Sequence, residues 1–194
     1  MEKTRLEAFS DGVIAIIITI MVLEMKVTEG INWETIKPLI PKLLSYILSF
    51  LFVAIYWVNH HHLLFTIKKV NAAIMWANMN LLFWLSLVPF ATAWMGENHF
   101  DKITVACYAA LALCCGFSYN ILQAAICKTY DEATAKRLMT KQSSWKSITS
   151  IVLYSVAIPI AVFIHPFISG FLFLTVSIMW LIPDKNIERT FEEE

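Results

Sequence analysis

Two ionisable residues lead into an apolar segment near the start of the chain. Arg5 and Asp11 precede a run from Gly12 to Leu23 that holds only apolar residues, glycine and one threonine. A charged carboxylate inside a membrane span costs several kcal/mol unless it is paired or wetted. The chemistry that this pattern predicts for Asp11 is therefore hydrogen bonding to other protein groups.

An ideal helix separates the apolar side of this segment from its polar residues. At about 100° per residue, five positions share one face that is about 100° wide. These positions are Gly12, Ile16, Thr19, Ile20 and Leu23. Ser10 and Asp11 point away from that face, whereas ideal helical phase puts Arg5 on it and does not settle where its side chain goes. We expect the apolar stripe to face one way and Asp11 to turn towards other helices.

Candidate partners for Asp11 lie in two later apolar segments. The stretch YWVNHHHLL places a tryptophan, an asparagine and three histidines near the end of the second segment, and ANMNLL places two asparagines in the third. By the order of the spans they share the depth of Asp11, so they can form a buried polar network. The candidates are Trp57, Asn59, His60, His61, His62, Asn78 and Asn80. Such a network can be purely structural or part of a transport mechanism, and the sequence leaves both open.

The histidine triplet and the cysteines give no metal-binding pattern. Consecutive helical residues point about 100° apart, whereas two histidines that bind zinc from one helix stand four positions apart. The four cysteines form no CxxC pair. We expect neither a metal site nor a cofactor.

Composition and the spacing of the charges indicate a polytopic membrane protein. Of 194 residues, 58% are hydrophobic and 15% are charged, against about 25% charged residues in a soluble domain. The formal net charge is zero, so nothing indicates a nucleic-acid surface. Six apolar runs are long enough, or nearly so, to cross about 30 Å of hydrocarbon as helices. They cover about residues 9–23, 43–65, 73–95, 103–127, 148–164 and 168–182 of one domain, 1–194.

The basic residues predict the orientation of these spans. With the N-terminus inside, four of the 15 lysines and arginines fall in outside segments and the other eleven fall inside. The four are Lys26, Lys37, Lys42 and Lys102. This bias favours a multi-pass protein of the cell membrane with both termini in the cytoplasm.

The first segment resembles a known family signature. The pattern Arg5-x-x-x-Phe9-Ser10-Asp11-Gly12-Val13-x-Ala15-Ile16-x-x-Thr19-x-x-x-Leu23 is similar to that of the transmembrane protein 175 family, the FSD-motif potassium channels. The histidine-rich second span and the stretch LVPFATAW, from Leu87 to Trp94, resemble the family as well. The resemblance implies an all-α membrane protein with six transmembrane helices per chain. It also implies the prokaryotic single-repeat form, a homotetramer with the first helix lining the pore.

The resemblance further implies roles for individual residues. The narrowest apolar ring of the ion path falls on Ile16, and further apolar rings fall on Ile20 and Leu23. Thr19 falls on the layer linked to cation preference, and Gly12 lies on the same side of the helix. The buried hydrogen-bonding group of the motif falls on Arg5, Phe9, Ser10 and Asp11, with Trp57, one histidine of His60, His61 and His62, and Asn80 as partners.

These residues predict a channel that conducts potassium passively, in preference to sodium. An apolar ring offers no oxygen to replace the water shell of a cation, but it excludes water when narrow and admits a hydrated ion after a small widening. The expected partners are further copies of the chain, the lipid bilayer, and potassium or other monovalent cations.

Two alternatives from other classes stay open. One is an intramembrane enzyme that uses Asp11 with a histidine, although no second carboxylate or nucleophile lies at matching depth. The other is a proton-coupled carrier, although carriers usually contain internal repeats that this sequence does not show.

Overall fold

Helices are the only regular elements in the part of the chain that the structure describes. The computed structural model describes residues 2–26, 30, 32–131, 135 and 141–181, without the side chains of Thr35 and residues 141–144. The helices within these ranges are α1 (Lys3–Leu23), α2 (Trp33–Ile36), α3 (Leu39–Phe65), α4 (Ala72–Ser86), α5 (Val88–Glu97), α6 (Lys102–Cys127), α7 (Lys141–Phe163) and α8 (Pro166–Leu181).

Six apolar helical segments match the six predicted membrane spans. Within the described ranges, five are long and apolar enough to cross a membrane: α1, α3, the pair α4–α5, α6, and the part of α7 from Trp145 to Phe163. The sixth, α8, is apolar but has only 16 residues. The prediction of an all-α membrane protein with six helices is confirmed. α1 begins at Lys3 rather than at Phe9, so Arg5 is part of the helix.

Local sequence explains where the helices begin and break. The predicted span 73–95 divides into α4 and α5 because Pro89, in the first turn of α5, lacks an N–H group and its ring clashes with the preceding turn. Asn71 precedes α4, and its side chain accepts a hydrogen bond from the backbone N of Ile74 at 2.9 Å. Asp101 precedes α6 and accepts a similar bond from Ile103 at 3.0 Å. Asparagine and aspartate are favoured at this position because they satisfy exposed N–H groups.

Successive spans run in opposite directions, which gives the bundle two ends. At the N-terminal end, α1, α4 and α7 begin and α3, α6 and α8 finish; there the Nζ of Lys3 donates to the backbone O of Phe65 at 2.6 Å. At the loop end the chain passes from α1 to α3, from α5 to α6 and from α7 to α8. There Lys42 forms an ion pair with Glu97 at 3.2 Å.

α1 lies at one side of the bundle and α6 in the middle. α1 packs against α3, α4 and α5, whereas α6 packs against α4, α5, α7 and α8. Large apolar side chains also cover the outside, among them Trp76, Phe83, Phe163 and Phe171, which are 58–84% exposed. A surface of this kind is typical of a protein that meets lipid or other membrane helices.

Candidate ion-conduction helix

α1 has one buried face and one open face. Buried side chains recur every three or four positions, as a helix of 3.6 residues per turn requires. They are Leu6, Ser10, Ile14, Ile17 and Met21. The exposed positions include all five that helical phase placed together: Gly12, Ile16, Thr19, Ile20 and Leu23. The side chains of Ile16 and Leu23 are 60% and 72% exposed, so neither is covered by its own chain.

A chain of hydrogen bonds ties the buried face of α1 to α3 and α4. The Nε2 of His60 lies 2.7 Å from the Oδ1 of Asn78. The Nδ2 of Asn78 donates to the Oγ of Ser10 at 2.9 Å, and that Oγ donates to the backbone O of Leu6 at 2.8 Å. Because Oδ1 can only accept, His60 Nε2 carries the hydrogen. All donors therefore point in one direction, from α3 through α4 into the backbone of α1.

Asp11 makes its own contact with α3. The indole Nε1 of Trp57 donates to the Oδ1 of Asp11 at 2.9 Å. Asp11 is half-buried and Trp57 is 44% exposed. A bond to an ionised acceptor is shorter and stronger than one between neutral groups. We call Ser10, Asp11, Trp57, His60 and Asn78 the N-terminal cluster.

The structure separates the three histidines of the triplet. His60 is 1% exposed, His61 is exposed and His62 is half-buried. The ring of His61 lies beside that of Trp57, with centroids 6.2 Å apart, and the ring of His62 lies 6.0 Å from His61. Among the described residues, His60 Nδ1 has no hydrogen-bond partner. Of the three histidines, His60 is the one that takes part in the buried chain of hydrogen bonds, through its Nε2.

Four other residues of the predicted network lie outside these contacts. One of them, Asn59, donates to the backbone O of Ile55 on its own helix at 2.7 Å. Arg5 and Phe9 are exposed on the single chain, and the Arg5 side chain forms no hydrogen bond or ion pair with the described residues. Asn80 donates to the Oγ of Ser118 on α6 at 2.8 Å, so it turns away from α1. Asn78, rather than Asn80, forms the hydrogen bonds to Ser10 on α1 and His60 on α3. No sequence signal separates the two, because both have apolar neighbours at helical spacing.

A second polar cluster, which the sequence did not predict, lies nearer the loop end. The Oγ1 of Thr92 lies within hydrogen-bond distance of the Oγ of Ser49, at 2.7 Å, and Ser49 lies 3.0 Å from the hydroxyl of Tyr108. The Sδ of Met21 on α1 lies 3.9 Å from Thr92 Oγ1. These four buried residues, the loop-end cluster, come from α1, α3, α5 and α6. Isolated hydroxyl groups on distant segments form no local motif, so only the fold brings them together.

The open face of α1 offers apolar side chains and a single hydroxyl. The Oγ1 of Thr19 donates its hydrogen to the backbone O of Ala15 at 2.9 Å, and its oxygen keeps acceptor capacity for a water or a cation. Within the described ranges, no group of three or more His, Cys, Asp or Glu residues could hold a metal ion. This arrangement suits weak, non-covalent contact with a hydrated ion.

Fold and site together define a polytopic helical membrane protein. Its first helix is fixed on one side by hydrogen bonds to α3 and α4 and presents apolar side chains and a threonine on the other. Comparison with known proteins gives the family within that class.

Comparisons of sequence and of structure lead to the same protein family. The family described as endosomal/lysosomal potassium channel TMEM175 matches residues 5–89. A protein of Chryseobacterium sp. (strain P1-3), described as a potassium channel, is 50% identical over 194 residues, which cover both chains completely. A protein of Chamaesiphon minutus with the same description is 32% identical over 159 residues, 77% of this chain and 75% of that one. This chain belongs to the TMEM175 family.

A solved structure supports the same conclusion. The crystal structure of a lysosomal potassium-selective channel TMEM175 homolog from Chamaesiphon minutus matches with a TM-score of 0.79 and 28% identity, over 93% of this chain and 96% of that chain. The human relative, described as an endosomal/lysosomal proton channel, is 28% identical over 125 residues, which span 55% of this chain and 25% of that protein. The predicted family is confirmed. It is a family of ion channels, so the alternative of an intramembrane enzyme is set aside.

Proposed function

We propose that four copies of this chain form a potassium-preferring channel, with α1 of each copy around a central ion path. The open face of α1 carries this proposal. It is apolar, exposed on the single chain, and turned away from the hydrogen bonds that hold the helix. Such a face requires lipid, another chain or a shared path to cover it. The relatives that match most of the chain are described as potassium channels, which favours the path.

Ile16 forms the narrowest ring of this path, and Ile20 and Leu23 form further rings. Four isoleucine side chains that meet at an axis exclude water and ions from a narrow passage. A small outward shift of α1 widens the ring and admits a hydrated ion. The exposed fractions of Ile16, Ile20 and Leu23, between 41% and 72%, leave these side chains available for such a ring.

Selectivity follows from dehydration and from Thr19. Potassium holds its water less tightly than sodium, so a narrow ring favours potassium. The hydroxyl oxygen of Thr19, one turn from the Ile16 ring, accepts from water or contacts the cation directly. The preference is modest, because an isoleucine ring supplies no oxygen ligands.

The N-terminal cluster sets the rotation of α1 about its own axis in this proposal. Ser10 and Asp11 bind α4 and α3 on one side, which turns Gly12 and Ile16 to the other side. Arg5 and Phe9 are exposed on the single chain. Both termini face the cytoplasm, as the basic residues predict.

Flux in liposomes tests the proposal. Purified protein is reconstituted with a potassium gradient, and potassium efflux is recorded with and without a proton gradient. We expect passive flux that needs no proton gradient. Ile16→Asn replaces the apolar ring with amide groups that water can wet, so we expect flux to rise and the preference for potassium over sodium to change.

Ile178→Asn is the matched control, because Ile178 on α8 is 61% exposed, much as Ile16 is. We expect it to leave flux and ion preference unchanged. If Ile16→Asn behaves like this control, Ile16 is not the constriction. Flux that depends on a proton gradient would indicate the carrier instead, and current carried only by protons would contradict the potassium assignment.

The subunit count is tested by mass in detergent. We expect a particle of four times the 22.2 kDa of one chain. A stable monomer would contradict the proposal, because one copy of α1 cannot enclose an ion path.

A further inference from the structure

A small cavity lies between α3, α6, α7 and α8, and none of the residues described for α1 lines it. Its volume is about 40 Å³. One buried water needs about 10–15 Å³ of such space, whereas a cavity that binds benzene measures about 150 Å³. The size of this cavity therefore excludes a ring-sized ligand and leaves room for about three waters.

Polar side chains are frequent on the walls of this cavity. Nine of its 13 described lining residues carry a hydroxyl, an amide or an indole N–H group, and all four helices contribute. Several of these groups bond to one another: the Nε1 of Trp180 donates to the Oγ of Ser150 at 2.8 Å, and the Oγ of Ser147 donates to the Oδ1 of Asn120 at 2.6 Å. Buried waters bind where such groups converge, since each water makes about three hydrogen bonds.

Three polar atoms on the walls have no protein partner, yet water can reach them. They are the hydroxyls of Tyr56 and Tyr154 and the Oδ1 of Asn59, none of which bonds to a described residue. Within the described part of the chain, His60 Nδ1 is the one side-chain nitrogen or oxygen that both lacks a partner and is sealed from water. The three atoms are therefore not sealed, although Tyr154 is only 4% exposed. The space onto which they open is the cavity that they line.

Tyr108 shows how a tyrosine that is buried to the same degree finds a partner in the protein. It is 2% exposed, and its hydroxyl lies 3.0 Å from the Oγ of Ser49. A buried hydroxyl without any partner loses the hydrogen bond that it makes in water. Tyr154 has no such protein partner, so a bound water is what restores its bond. A lipid chain in the cavity would leave the polar atoms of the wall unpaired.

We propose that the cavity is a water-binding site, in which about three ordered waters link α3 to α7 through Tyr56, Asn59 and Tyr154. The tyrosine hydroxyls donate to these waters and accept from them, and the Oδ1 of Asn59 accepts. The amide nitrogen of Asn59 already donates to the backbone of its own helix. This site is separate from the open face of α1, and its occupation does not depend on which ion the channel conducts.

Hydroxyl-radical labelling by X-ray radiolysis tests this site in the full chain in detergent. Radicals form from bound water in place, so a tyrosine beside ordered water is oxidised even where bulk solvent is excluded. Peptide mass spectrometry then compares Tyr154 with Tyr108, which is as deeply buried but bonds to Ser49. We expect Tyr154 to be labelled several-fold faster than Tyr108. Equally slow labelling of the two tyrosines would overturn the proposal.

Gly116→Leu fills the cavity and should slow the labelling of Tyr154 to the rate of Tyr108. A Cβ at Gly116 would meet only the hydroxyl of Tyr56, at 3.8 Å, so a larger side chain grows into the space of the waters. Gly116→Ala adds only that Cβ and is the matched control, which should keep the fast labelling. Unchanged labelling of Tyr154 in a folded Gly116→Leu variant would contradict a site in this cavity.

Tyr154→Phe gives a second measurement that does not need Gly116→Leu to fold. It keeps the ring and removes the hydroxyl. If ordered water bonds to that hydroxyl, its removal costs a hydrogen bond and the midpoint of thermal unfolding falls. If the cavity is dry, the variant removes a buried polar group that has no partner, and the midpoint rises. A rise would therefore overturn the proposal.

Discussion

The two ends of α1 are held by different kinds of contact. At the N-terminal end, Lys3 bonds to the last turn of α3, Ser10 bonds to Asn78, and Asp11 bonds to Trp57. Towards the loop end, the buried face consists of Ile14, Ile17 and Met21. Among the described residues, its polar contact with a neighbour is that of the Met21 sulfur, 3.9 Å from Thr92 Oγ1. Hydrogen bonds thus fix the first half of the helix, and apolar packing holds the second.

The two kinds of contact have different consequences for α1: hydrogen bonds fix its orientation, whereas apolar packing tolerates small movements. A hydrogen bond in an apolar environment is directional and loses much of its energy when its geometry changes. Apolar contacts between side chains have no preferred direction, so small displacements change their energy little. In the proposed channel we therefore expect the second half of α1 to shift, while the N-terminal cluster keeps the first half in place.

Asn78→Leu tests the fixed half and should give the largest loss. It removes the link between α1 and α3 and leaves the Nε2–H of His60 buried without an acceptor. We expect about 2–4 kcal/mol less free energy of unfolding, since each unsatisfied buried group costs about 1–3 kcal/mol. Thermal unfolding in detergent measures this.

Asn80→Leu is the control for that experiment. Asn80 lies two positions further along α4, is half-buried, and makes one side-chain bond to Ser118. We expect a loss of only about 1 kcal/mol. Equal losses from the two variants would mean that Asn78 is no more important than any other buried amide of α4.

Trp57→Phe tests the contact of Asp11 and should have an intermediate effect. It keeps an aromatic ring but removes the indole donor to the carboxylate. We expect a loss of about 1–2 kcal/mol, because both groups are partly exposed and water replaces some of the bond. Asp11→Asn is the matched variant: its side-chain oxygen still accepts from Trp57, so the indole N–H resonance of Trp57 in a ¹H–¹⁵N spectrum should keep its hydrogen-bonded position. A larger loss in Asp11→Asn would show that charge, rather than the bond, matters here.

Thr92→Val tests the loop-end cluster, where we expect about 1 kcal/mol of destabilisation. Valine fills the same volume and removes one hydroxyl, while Ser49 and Tyr108 still bond to each other. Thr175→Val, at an exposed threonine that bonds to the backbone of its own helix, is the control and should cost less. A loss as large as that of Asn78→Leu would remove the distinction between the two ends of α1.

Sequence could predict the two faces of α1 but not all of its partners. The two faces follow from helical phase and from the need of the Asp11 carboxylate for a hydrogen-bond partner inside a membrane span. Both are local properties of the sequence. The choice between Asn78 and Asn80 is not local, because apolar residues surround both on α4 and either could face α1. The loop-end cluster joins residues as far apart as Met21 and Thr92 through hydroxyl groups that are common in membrane helices. The six spans and the family could be predicted because apolar runs and the FSD motif lie in continuous sequence.

Gly12→Ala should have the smallest effect and tests the open face directly. A Cβ at Gly12 meets nothing within 4 Å in the single chain. Alanine also favours a helix over glycine by up to about 1 kcal/mol, so we expect unchanged or slightly higher stability. Gly96→Ala is the contrast, since its Cβ would lie 2.5 Å from the Oγ of Ser45 and 2.9 Å from the Cα of Lys42. We expect it to lose about 1–3 kcal/mol as α3 and α5 separate. A similar loss in Gly12→Ala would show that another chain already packs closely there, and the face would then be closed in the assembled protein.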